Sequence, residues 1–180
     1  MFTNMGQLYT VKVQDLPFGK FRDKGIPVDN VSNFNSSQEE LLLVSAQSEL
    51  NLYRVIFATR MGMVKIVDGG EFDVAKRTVA ATKLQEGDSV VSVVVMKEQK
   101  NIILQSKAGY FLRFSVDEIP EKKKGAIGVR GMRLSEGDTI EAVYYTRLSD
   151  EASVPYKSRE LVLNQIKAAK RDGKGIKVRA

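Results

Sequence analysis

Ala58-Thr59-Arg60-Met61-Gly62 repeats Phe2-Thr3-Asn4-Met5-Gly6 and returns, more loosely, as Gln105-Ser106-Lys107-Ala108-Gly109. The likeness continues past each glycine. Two residues on stands an apolar side chain (Leu8, Val64, Phe111), and five residues on stands another (Val11, Val67, Phe114). At the ninth and tenth positions an acid precedes an apolar residue: Asp15-Leu16, Glu71-Phe72 and Glu118-Ile119. Further along, Leu84-Gln85-Glu86-Gly87-Asp88 recurs as Leu134-Ser135-Glu136-Gly137-Asp138, each copy running into a β-branched, apolar stretch at 89–95 and 139–145. A fourth copy is incomplete: Lys174-Gly175-Ile176-Lys177-Val178 closes it as Lys24-Gly25-Ile26-Pro27-Val28 closes the first, but it has no opening Thr-x-x-Gly.

Each unit reads as strand, tight turn, strand, because an apolar run meets a glycine and then resumes with alternation such as Phe111, Phe114 and Val116. Gly6, Gly62 and Gly109 are expected to supply the positive φ of that turn. A helical period fits only 160–170, through Val162, Ile166 and Ala169, yet the repeat register sets Leu161 and Leu163 beside Val11 and Val13 and predicts a strand there. Strand-rich units of about 50 residues cannot bury an apolar face alone and stack radially as blades. The expected fold is therefore all-β and propeller-like, with units at approximately 1–50, 51–100 and 101–148 and most of a fourth at 149–180.

The 180 residues include no Cys and no His, which removes disulfides, thiolate and imidazole metal ligands, cysteine nucleophiles and imidazole bases. The apolar runs at 41–44 and 90–96 are far below the roughly 20 residues that span a bilayer, so no membrane partner is expected. A chain without cysteine is compatible with a cytoplasmic setting. With 28 Lys and Arg against 22 Asp and Glu, the net charge is +6, a balance that favours polyanions. From Glu151 onward eight basic residues face Glu151, Glu160 and Asp172. A second concentration, Lys122, Lys123, Lys124, Arg130 and Arg133, faces Glu118 and Glu121.

These basic residues fall at one position of the repeat, just before glycines. Lys122-Lys123-Lys124-Gly125-Ala126-Ile127-Gly128 and Ala169-Lys170-Arg171-Asp172-Gly173-Lys174-Gly175 share the pattern, Lys20-Phe21-Arg22-Asp23-Lys24-Gly25 stands there in the first copy, and the second has Lys76-Arg77. Glycine lets backbone N–H groups approach a phosphate, and adjacent cations neutralise it. Equivalent loops of a radial array lie along one rim, so the candidate contacts to duplex DNA are Lys20, Arg22, Lys24, Lys76, Arg77, Lys122, Lys123, Lys124, Arg130, Arg133, Lys170, Arg171, Lys174 and Lys177. The competing reading is a propeller-type interaction module for an acidic protein. The pairs Glu39-Glu40 and Asp117-Glu118 read as surface, residues 125–131 lack the Gly-Lys-Ser/Thr of a nucleotide loop, and Tyr110, Phe114, Tyr144 and Tyr145 read as core or cross-strand partners.

Residues 59–65, 109–114 with Ile119-Pro120, and 128–132 resemble blade repeats in the C-terminal domain of the A subunit of bacterial type IIA topoisomerases, DNA gyrase and topoisomerase IV. The resemblance covers essentially the whole chain. It implies a β-pinwheel whose blades exchange strands and whose basic perimeter wraps or bends DNA for the catalytic core. An intact disc has more blades than 180 residues encode, so the chain is expected to be a fragment. The resemblance further implies two partners, an N-terminal breakage-reunion domain and the ATPase subunit, with ATP and Mg²⁺ used elsewhere in the parent, and a bacterial, nucleoid-associated location in the cytoplasm. No catalytic residue or cofactor site maps onto these residues. Gyrase subunits carry a Gln-(Arg/Lys)-(Arg/Lys)-Gly-Gly-(Arg/Lys)-Gly heptad; residues 122–128 and 169–175 are degenerate versions of it.

Overall fold

Gly6, Gly62 and Gly109 turn the chain at φ of 71°, 81° and 85°, a region open to glycine at little cost. In the computed structural model, which describes residues 1–149 and 151–179, each of these turns joins the first two strands of a blade. The strands in chain order are β1 (Phe2–Thr3), β2 (Gln7–Tyr9), β3 (Leu41–Leu43), β4 (Arg54–Thr59), β5 (Met63–Asp68), β6 (Thr78–Ala80) and β7 (Val90–Met96). They continue with β8 (Asn101–Ser106), β9 (Tyr110–Ser115), β10 (Val129–Arg130), β11 (Ile140–Thr146), β12 (Ser153–Tyr156), β13 (Arg159–Val162) and β14 (Ile176–Lys177). A single helical turn, α1 (Gln47–Leu50), lies between β3 and β4.

Every full blade draws its last strand from the next repeat. The sheet orders are β3-β1-β2-β6, β7-β4-β5-β10 and β11-β8-β9-β14, all antiparallel, while β12 and β13 form a two-stranded sheet. The exchange keeps one register: Val79 opposes Leu8, Val129 opposes Val64, and Ile176 opposes Phe111. At the opposite side of each sheet, β7 packs beside both β3 and β11, and Leu42, Val91 and Glu141 from these three strands line one shared cavity. These are the inner strands, and β6, β10 and β14 form the perimeter.

The blades are buried on both faces, so their strands read as continuous apolar runs. Val55 and Phe57 of β4 face blade one, where Phe2 meets Phe57 and Phe72 edge-on at centroid separations of 5.9 and 5.0 Å. Ile56 and Ala58, pointing the other way, join Ile102, Leu104, Leu112 and Phe114 of blade three. Ile103 and Phe111 then pack on Leu163, Ile166 and Val178 of the last unit. Loss of any one buried phenylalanine to alanine costs about 3–5 kcal/mol, so neighbouring blades stabilise each other.

Two sequence expectations change. Leu161 lies on β13, but Leu163 opens a 3-10 turn, Leu163–Gln165, as Val13 opens Val13–Asp15; at both positions the chain leaves its blade. Residues 24–28 do not copy 174–178, because β14 has β9 to pair with whereas 24–27 have no sheet partner, leaving Phe18 and Phe21 fully exposed nearby.

Candidate nucleic-acid interface

The loops that carry Lys76-Arg77, residues 122–124 and residues 170–174 lead into β6, β10 and β14 and therefore sit on the perimeter, whereas the loop with Lys20, Arg22 and Lys24 leads into no strand. The last two are hydrogen-bonded into one edge. Asp172 N–H donates to the Gly131 carbonyl at 2.7 Å, Arg133 N–H donates to the Gly173 carbonyl at 2.9 Å, and Arg171 Nη1 reaches the Arg130 carbonyl at 2.6 Å. Along this edge Lys122, Lys170, Lys174 and Lys177 are exposed and, among the described residues, make no ion pair. Lys174 and Lys177 place their Nζ atoms 5.1 and 5.5 Å from the centroid of the Tyr110 ring, whose quadrupole holds two ammonium groups close together.

Other candidates are partly neutralised. Asp172 takes Arg130 by two contacts, Nε to Oδ1 at 2.5 Å and Nη2 to Oδ2 at 3.0 Å, and lies 3.9 Å from Arg133. The Arg130 hydrogen bond, with the charges of Arg130, Arg133 and Arg171, outweighs the opposing effect of burial and holds the Asp172 carboxyl below the usual carboxylate range. Lys123 pairs with Glu71 at 3.2 Å, and Arg77 with Asp15 at 3.3 Å. Lys124 turns inward, its Nζ on the Glu71 carbonyl at 2.8 Å. Lys76 is exposed beside Arg77 on blade one, and Lys20, Arg22 and Lys24 lie on the exposed stretch before Gly25. The structure thus joins the stretches around 122–133 and 169–177 into one edge through residues 130–133 and 171–173, but does not join Lys20, Arg22 and Lys24 to it by any hydrogen bond among the described residues.

The glycines of these loops divide by role. Gly128, at φ 103°, crosses the second strand so closely that a Cβ would stand 2.6 Å from the Val64 carbonyl oxygen, so this glycine answers to strand exchange and not to phosphate approach. Gly125 has open space where a Cβ would be and leaves its backbone accessible.

Sequence reasoning missed the anchors of these loops. Glu71 and Glu118, the acids nine residues past the turn glycines, accept the backbone N–H of Lys124 and Arg171, each at 2.9 Å and each 53 residues downstream. That constant interval was the available signal. Lys65, buried beneath the 122–128 loop, was missed because its charge lies in an apolar strand. Tyr144 bonds across its own sheet to Gln105 at 2.9 Å, and Tyr145 packs on the core between blades two and three, its hydroxyl 3.0 Å from Ser92 of blade two. Glu39 is not surface: it accepts from Thr3 at 2.5 Å and from the Tyr9 hydroxyl, and burial together with that carboxylate pushes Tyr9 up to about 12.

A family model described as DNA gyrase C-terminal domain, beta-propeller, matches residues 53–95 and 100–147, just over half of the chain. The chain belongs to the DNA gyrase C-terminal domain family. Within that family it is 32% identical over 144 residues to the DNA gyrase A subunit of Rickettsia bellii, and 29% identical over 143 residues to that of Lawsonia intracellularis. These alignments take in 77% and 79% of the chain but only 16% and 17% of the two relatives. The crystal structure of the C-terminal domain of DNA topoisomerase IV superposes with a TM-score of 0.84 at 27% identity, covering 97% of this chain and 56% of that one. The E. coli ParC C-terminal domain, with a TM-score of 0.77 at 16% identity and coverage of 99% and 75%, shares the fold. This gyrase-family domain is thus of the type found at the C-terminus of type IIA topoisomerase A subunits, with the strand-exchanged blades expected of it.

Proposed function

We propose that the domain binds duplex DNA along its outer edge and bends or wraps it, serving a type IIA topoisomerase without doing chemistry itself. What supports this reading is the hydrogen-bonded continuity of residues 130–133 with 171–173, whose loops also carry Lys122, Lys170, Lys174 and Lys177, exposed and with no carboxylate on any of them among the described residues. A row of this kind matches a phosphate backbone and carries no means of reading bases. Lys76 extends it on blade one, and Lys20, Arg22 and Lys24 would join once residues 24–28 pair with a neighbouring blade. Arg130, Arg133, Lys123 and Arg77 are screened by their acids and contribute less, while Lys124 and Arg171 hold the loops in shape.

In this proposal the chain is a partial pinwheel of the bounds given above, working in the bacterial cytoplasm beside a breakage-reunion domain and an ATPase subunit. Ring closure of short linear duplexes, with and without the protein, tests the function. Accelerated closure that disappears in high salt is the expected result; binding without any change in closure would remove bending from the proposal.

A further inference from the structure

Lys65 lies in the middle of β5 and is only 1% exposed. Burying an ammonium is costly unless its protons are matched. Here Nζ donates to three backbone carbonyls, those of Lys123 at 3.3 Å, Lys124 at 2.8 Å and Ala126 at 2.7 Å. All three belong to one perimeter loop. Its other surroundings are the Phe57 ring of β4, 5.5 Å away, the Glu71 carboxylate, and the Lys123 and Lys124 side chains, both of which turn to Glu71.

The fold does not require this charge. The register that sets Val129 opposite Val64 also sets Ile176 opposite Phe111, so Leu112 occupies in blade three the place of Lys65 in blade two. Leu112 fills the space beneath Gly173, the counterpart of Ala126, with Cδ1 3.2 Å from where a Gly173 Cβ would stand. A leucine therefore satisfies packing at this position. What an ammonium adds is a three-point hold on the carbonyls of the loop carrying Lys122 and the open Gly125.

We propose that Lys65 is a positioning residue for DNA binding: its buried ammonium fixes the 122–128 loop so that Lys122 and the backbone around Gly125 meet a phosphate. The inference rests on the DNA-binding reading above. Burial pushes Lys65 down to about 8, against the pull of Glu71. Above that pH a neutral amine has two protons for three carbonyls, and the hold weakens.

The test compares the intact domain with Lys65→Leu, Lys65→Arg, Lys122→Ala and the Lys65→Leu/Lys122→Ala double variant. Affinity for a short duplex is measured across a salt series, and the Gly125 and Gly128 amide resonances are followed in the free wild-type protein from pH 7 to 9. Lys65→Leu should weaken binding and flatten the log K against log salt slope by about 1, as Lys122→Ala does, and the double variant should lose no more than either. Lys65→Arg should restore part of the slope. In wild type both glycine amides should shift together with a midpoint near 8. A folded Lys65→Leu with the wild-type slope, beside a flattened Lys122→Ala, overturns the positioning role and leaves the DNA reading intact. If Lys122→Ala also keeps the wild-type slope, the DNA reading fails for this loop. The amide titration then decides whether Lys65 sets the loop, and flat resonances overturn it; the same titration decides if Lys65→Leu does not fold.

Discussion

Arg171 donates its backbone N–H to Glu118 Oε2 at 2.9 Å and reaches the Glu118 carbonyl with Nε at 3.1 Å. One blade earlier, Lys124 does the same with Glu71, through N–H to Oε2 at 2.9 Å and Nζ to the carbonyl at 2.8 Å. An acid in the 3-10 turn that follows one blade's second strand thus shapes the perimeter loop that the next repeat lays over it. Removing the Glu71 carboxylate by Glu71→Ala leaves the Lys124 N–H without its acceptor and should cost about 1–3 kcal/mol in urea unfolding. Burial raises the Glu71 pKa, but the Lys124 hydrogen bond and the Lys123 charge outweigh it, so the net shift is downward from 4.5. Its contribution is therefore complete above pH 4.5 and fades as pH falls through the lower folded value. Wild type should lose stability in that acid window, and Glu71→Ala should show a shallower loss.

Asp172 holds Arg130 and Arg133 on the edge where DNA is proposed to lie. It also sits at φ 67°, a conformation glycine adopts freely. Asp172→Gly should free both guanidinium groups, raise DNA affinity and steepen the salt slope by about 1–2, since each added phosphate contact contributes about 0.9. Because the pair is solvent-exposed, the melting temperature should barely move. Titration at several salt concentrations reads the first effect, and an unchanged slope would place both arginines outside the DNA path.

The repeat was legible because strand exchange imposes the same glycine, apolar and acid positions on every unit. Gly62, Val64, Val67 and Glu71 each answer to a contact that recurs at Gly109, Phe111, Phe114 and Glu118. The placement of the basic loops on the perimeter followed from that symmetry. What the sequence did not show was which charges are already spent: Asp172 lies next to Arg171 in the chain but pairs with Arg130, 42 residues away. Nor could it show that residues 24–28, alike in pattern to 174–178, lack a strand to join, because pairing depends on a neighbouring blade.

The three lysines in a row are not equivalent. Lys122 is exposed and unpaired, Lys123 shares Glu71, and Lys124 is turned inward to the Glu71 carbonyl. Lys122→Ala should flatten the salt slope by about 0.9, whereas Lys124→Ala should lower the melting temperature and change the slope little. Equal slope changes at 122 and 124, with an additive loss in the Lys122→Ala/Lys124→Ala double variant, would mean that DNA pulls Lys124 out of its site; a non-additive loss would mean that Lys124 acts by holding Lys122 in place.

Tyr110 gathers Lys174 and Lys177 at 5.1 and 5.5 Å from its ring. Exposed cation–π contacts contribute about 0.5–1 kcal/mol. Tyr110→Ala should thus reduce DNA affinity by about two- to fivefold at fixed salt, while Tyr110→Phe keeps the ring and should bind as wild type. Equal losses in the two variants would assign the effect to the hydroxyl.

Gly125 and Gly128 stand three residues apart and should respond oppositely to alanine. At Gly128 the positive φ of 103° and a Cβ position 2.6 Å from the Val64 carbonyl both oppose a side chain. Strain of this kind costs about 1–3 kcal/mol before overlap is added, so Gly128→Ala should destabilise the domain by about 2 kcal/mol or more and disturb the β5–β10 pairing. Gly125 has nothing within 4 Å of its Cβ position, so Gly125→Ala should leave stability unchanged or raise it by up to about 1 kcal/mol. The same open space is where the backbone would approach a phosphate, and there an added methyl should weaken DNA binding without unfolding anything. Urea unfolding and DNA titration of the two variants separate the roles: if Gly128→Ala proves as stable as wild type, β10 does not cross β5 as closely as Val129 opposite Val64 requires.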